Sequence, residues 1–81
     1  MLNNSLIERL LQEKVISSLD ELKQLTVYFT QQGLETEQIL ETLEKYEIKF
    51  EIQGVKIEEI VRILVAINPP SKKEKKEEFE I

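Results

Sequence analysis

The run Ile57-Glu58-Glu59-Ile60-Val61-Arg62-Ile63-Leu64-Val65-Ala66-Ile67 constrains this chain more than any other stretch. Ile57, Ile60, Val61, Leu64 and Ile67 recur at helical spacing, and Asn68-Pro69-Pro70 stops the helix. Ile63, Val65 and Ala66 fill the remaining sides, so the helix is apolar nearly all round. Such a helix has to lie at the centre of a fold or against another molecule. In a chain of 81 residues, two arrangements satisfy it: a central helix ringed by three short ones, or a seam between two copies.

Size sharpens that choice. A domain this small buries only about 60% of the surface its unfolded chain exposes. Disulfides, metals or association usually make up the shortfall. The sequence holds no Cys and no His, which removes disulfides, thiolate sites and the commonest transition-metal ligand. Association with a second copy or another protein is the route left open.

Three further helices are expected upstream. Ser5-Leu6-Ile7-Glu8 reads as a capping box, and Leu6, Ile7, Leu10, Leu11 and Val15 form one apolar face over residues 5–16. Ser18-Leu19-Asp20-Glu21 repeats the box before a second helix over 19–32, with a stripe of Leu19, Leu22, Leu25, Thr26 and Phe29. Gly33 suits the left-handed position after its last turn, with Leu34 folding back onto Phe29 as in a Schellman motif. Thr36 caps a third helix over 37–46, whose buried stripe is Ile39, Leu40, Leu43 and Tyr46.

After Tyr46 the period changes from helical to alternating. Ile48, Phe50 and Ile52 alternate with Lys49, Glu51 and Gln53, the pattern of a half-buried strand. Gln53-Gly54 offers a turn, and a hairpin near 48–57 would place Glu51 opposite Lys56 and Lys49 opposite Glu58. The same residues also start the last helix, so the extended segment pairs either within the chain or across a dimer. The expected fold is mainly α: a small bundle of four short helices, the last over 57–67, with one short extended segment or hairpin near 48–57. Residues 1–70 form the domain. Residues 71–81 form a charged tail without a core, ending in Phe79-Glu80-Ile81.

Charge narrows the partners. The net charge of −5 falls entirely within residues 1–70, and eight Glu against three Lys lie between 35 and 59. That surface repels phosphate backbones and anionic membranes. A helix–turn–helix fits around Gly33 in length, but its second helix would present Glu37, Glu41, Glu44 and Glu47 to DNA. A membrane span needs roughly 20 apolar residues, and none is present. With no basic leader segment either, the expected location is the cytoplasm.

No catalytic constellation emerges. A Ser–His or Cys–His pair cannot exist without His, and Ser5, Ser18 and Thr36 are accounted for as caps. Gly33 and Gly54 are the only glycines, which excludes a Gly-rich phosphate loop. Glu37, Glu41 and Glu44 share a wet helix face, where a carboxylate has no burial to tune it. No enzyme activity, cofactor or metal is therefore expected.

The sequence favours a protein–protein interaction module, self-associating as a homodimer. Its contact residues are Ile60, Ile63, Leu64 and Ile67 on the last helix, with Phe79 and Ile81 at the tip of the tail. One alternative is an acidic regulator that imitates nucleic acid in a basic groove. Another is a dimeric nucleic-acid-binding regulator that uses the tail lysines.

Overall fold

The computed structural model describes residues 3–70, and the expected anchors Phe79 and Ile81 lie outside the described residues. Among the described residues, four helices and one pair of two-residue strands follow in the order α1 (Asn4–Glu13), β1 (Val15–Ile16), α2 (Leu19–Gln31), α3 (Thr36–Lys45), β2 (Lys49–Phe50) and α4 (Ile57–Ile67). The mainly helical architecture stands as expected.

The helix at the centre is α2, not α4. Leu22, Leu25, Thr26, Phe29 and Thr30 are buried at the spacing of one helix face, and α2 packs against α1, α3, α4 and β1. Around it the core is completed by Ile7 and Leu10 of α1, Ile16 of β1, Ile39 and Leu43 of α3, Ile48, and Val61 of α4. Tyr46, expected in the stripe of α3, instead caps that helix and is 41% exposed. It falls past the last turn, where the chain already leaves the core.

Local chemistry explains most helix ends, with small shifts from expectation. Asn3 caps α1 in place of Ser5, its side-chain Oδ1 accepting from the backbone N–H of Leu6 at 3.1 Å. Ser18 caps α2, accepting from the N–H of Glu21 at 3.2 Å. At α3 the cap is Glu35 rather than Thr36, in a reciprocal box in which Gln38 Oε1 accepts from the Glu35 N–H at 2.9 Å. The Schellman motif at Gly33 is present: φ is 90°, and Leu34 N–H donates to the Phe29 carbonyl at 3.1 Å.

The strands differ from the hairpin alternative. β2 lies inside the expected extended segment, but it pairs parallel with β1, Val15 opposite Lys49 and Ile16 opposite Phe50. Two backbone bonds of 2.8 Å fix the register, Lys49 N–H to the Lys14 carbonyl and Glu51 N–H to that of Ile16. Residues 55–57 are not the partner, because the stronger helical period takes Ile57 into α4. Likewise α1 stops at Glu13 instead of residue 16. Lys14 turns left-handed (φ 61°), which swings Val15 and Ile16 out of the helix and buries Ile16 completely.

Candidate protein-interaction surface

α4 lies on the outside of the bundle, against α2 and α3. Val61 is the only residue of this helix that is fully buried. Ile57, Ile60, Leu64 and Val65 are half-buried against the core, and Ile63 and Ile67 are 55% and 69% exposed. The expected contact residues therefore divide. Ile63 and Ile67 face outward, Ile60 and Leu64 sit at the edge of the core, and Phe79 and Ile81 are not described.

Helical geometry shows which flank is bare. Each residue advances roughly 100° around the axis, so Ile60, Ile63 and Ile67 lie about 140–180° from both Val65 and Glu58. Val65 and Glu58 face α3. Val65 lines a groove with residues 35–38 at the start of that helix, and Glu58 lines another with Glu37, Leu40, Glu41 and Glu44. The isoleucine ridge thus points away from α3, and its apolar surface continues inward through the half-buried Ile60 to the core.

The two flanks also differ electrostatically. On the side toward α3, Arg62 donates to the Glu58 carboxylate at 2.9 Å, an exposed i,i+4 pair. Beyond Arg62 the segment Ile63-Leu64-Val65-Ala66-Ile67 carries no charge on any side. Lys56 precedes the first turn and falls on the line of the ridge, giving a 4-3-4 spacing through Ile60, Ile63 and Ile67. Sequence reading by apolar content alone passes over Lys56. The heptad spacing is the signal that includes it.

The acidic face is a separate feature. Glu37, Leu40, Glu41, Glu44 and Glu58 line an open groove of about 290 Å³ between α3 and α4. Among the described residues no group of three or more acidic side chains is arranged to hold a metal ion. Neither is any helix among them long and apolar enough to cross a membrane.

What α4 offers chemically is an exposed apolar ridge on one flank and an acidic groove on the other. The chain matches no family model, and it is significantly similar neither to a curated protein nor to a solved structure.

Proposed function

We propose that the protein is a non-enzymatic protein–protein interaction module that self-associates through the ridge of α4. One observation carries this reading: the two most exposed large hydrophobic side chains among the described residues, Ile67 and Ile63, stand one turn apart on the same helix. Isolated exposed apolar residues are ordinary, whereas a continuous ridge running into the core marks a contact surface. A second copy suits it because the ridge residues Ile60, Ile63 and Ile67 carry no charge, so two ridges meet without burying one. The Glu-rich α3 points elsewhere, so two chains of charge −5 can approach ridge to ridge.

An 11-residue helix is about 16 Å long. Its ridge alone is smaller than a standard interface of roughly 800 Å² per partner, so the association is reversible and concentration-dependent. Sedimentation equilibrium of the full chain between about 1 µM and 1 mM tests it. A monomer–dimer equilibrium that Ile63→Glu abolishes, with the helical circular dichroism unchanged, supports the reading. A wild-type monomer throughout that range rejects it.

The acidic groove beside Glu58 favours a second reading, an acidic regulator that offers its Glu side chains to a basic partner. Binding of that kind weakens steeply as salt is added. Association through isoleucines does not.

A further inference from the structure

We infer that two copies pair with their α4 helices antiparallel, so that Lys56 of each copy lies beside the C-terminal end of the partner's α4. This rests on the self-association just proposed and specifies its geometry. Lys56, Ile60, Ile63 and Ile67 occupy successive seam positions with 4-3-4 spacing. Two such lines match in either direction, and charge decides between them.

In a parallel pair each seam residue meets its own copy. Lys56 would face the partner's Lys56. That juxtaposition places like charges at the end of an apolar seam. In the antiparallel pair Ile60 packs on the partner's Ile63, and Lys56 comes level with the partner's Ile67. There the last turn of α4 presents carbonyl oxygens, the negative end of the helix dipole. The sequence supplies no basic residue of its own in that turn. Lys56 from the second copy fills that role, and it does so twice because the arrangement is two-fold symmetric.

The rest of each molecule agrees with this direction. Lys56 is exposed and its ammonium group makes no ion pair or hydrogen bond among the described residues, so it is available to the partner. The groove lined by Glu37, Glu41, Glu44 and Glu58 lies on the opposite flank of α4, so the two acidic faces end on the outside of the pair.

The absence of Cys from the chain makes disulfide trapping a clean test. Lys56→Cys and Ile67→Cys single variants of the full chain are mixed in equal amounts at a concentration where the wild type is dimeric. They are then oxidised, with Gln12→Cys on the exposed face of α1 as the control for random collision. The expected product is the mixed 56–67 disulfide, formed at least about tenfold faster than any product of the control. Rapid formation of the 56–56 disulfide overturns the antiparallel pairing while leaving self-association intact, and so does a dimer in which neither pair forms above the control rate. A wild-type monomer removes the proposed function as well. Lys56→Ala supplies an independent readout. It weakens an antiparallel dimer by roughly two- to tenfold through loss of two charge–dipole contacts. It tightens a parallel one, because a like-charge pair is removed.

Discussion

Lys49 donates its backbone N–H to the carbonyl oxygen of Lys14 at 2.8 Å, joining the residue that ends α1 to the strand that follows α3. The partner bond, Glu51 N–H to the Ile16 carbonyl, lies two residues further on and completes the parallel pair. Two α-helices separate the strands in sequence, so this short ladder closes the fold over α2.

Its contribution is measurable at Glu51, whose side chain is exposed while its N–H is engaged. Glu51→Pro removes the donor and is expected to destabilise by about 1–3 kcal/mol. Glu51→Ala keeps the donor and should stay within about 0.5 kcal/mol of wild type. Urea denaturation followed by circular dichroism separates the two. Equal stability of both variants would mean that the pairing contributes nothing.

Glu21 ties the approach to α2 together. Its carboxylate accepts from Ser17 N–H at 2.8 Å, from Ser17 Oγ at 3.2 Å and from Arg9 at 3.3 Å. The Arg9 side chain is half exposed, so the ion pair adds little and the backbone contact dominates. Glu21→Ala is expected to cost about 1–2 kcal/mol, and Glu21→Gln, which keeps an acceptor for Ser17, less than about 1 kcal/mol. Thermal melts of the two variants, compared with Arg9→Ala as the near-neutral control, check the order.

The same segment shows how far sequence reaches. The bounds of α2 are legible because Ser18 and Gly33 act on their immediate neighbours: a side-chain cap at one end and a left-handed turn at the other. Val15 and Ile16 are not legible, since Val15 also continues the stripe of Leu11 at helical spacing. What diverts them is the left-handed turn at Lys14, a residue type that gives no local warning, together with a partner 34 residues away. The surface on α4 shows the same division. Apolar content singles out Ile60, Ile63, Leu64 and Ile67 together, but only packing against α2 and α3 separates the outward Ile63 and Ile67 from the edge positions Ile60 and Leu64.

Glu47 occupies the same structural position after α3 that Gly33 holds after α2. Its N–H donates to the Glu44 carbonyl at 2.9 Å, and Ile48 N–H reaches that of Leu43 at 3.1 Å, with φ 58° at Glu47. A side chain in this left-handed region costs about 1–2 kcal/mol, part of which glycine returns through its freer unfolded state. Glu47→Gly is therefore expected to stabilise by about 0.5–1 kcal/mol, and Glu47→Val to destabilise. Chemical denaturation of both variants tests the sign, and a destabilising Glu47→Gly would contradict the turn geometry.

Two threonines sit one turn apart in the core of α2, and only one has its hydroxyl satisfied. Thr30 Oγ1 donates to the Val27 carbonyl at 2.8 Å, whereas Thr26 Oγ1 is buried with no hydrogen-bond partner among the described residues. A buried hydroxyl without a partner loses its hydration and gains nothing in return. Valine has nearly the same shape and the same β-branching, so the exchange leaves packing and helix propensity almost unchanged. Thr26→Val is expected to stabilise the fold by about 1–2 kcal/mol. Thr30→Val removes a made bond along with the polar group, and its effect should fall near zero or be mildly destabilising. Paired denaturation curves decide the matter through the difference between the two variants, since any general gain from added apolar surface is common to both. A Thr26→Val protein no more stable than Thr30→Val would place a hydrogen-bond partner on the Thr26 hydroxyl.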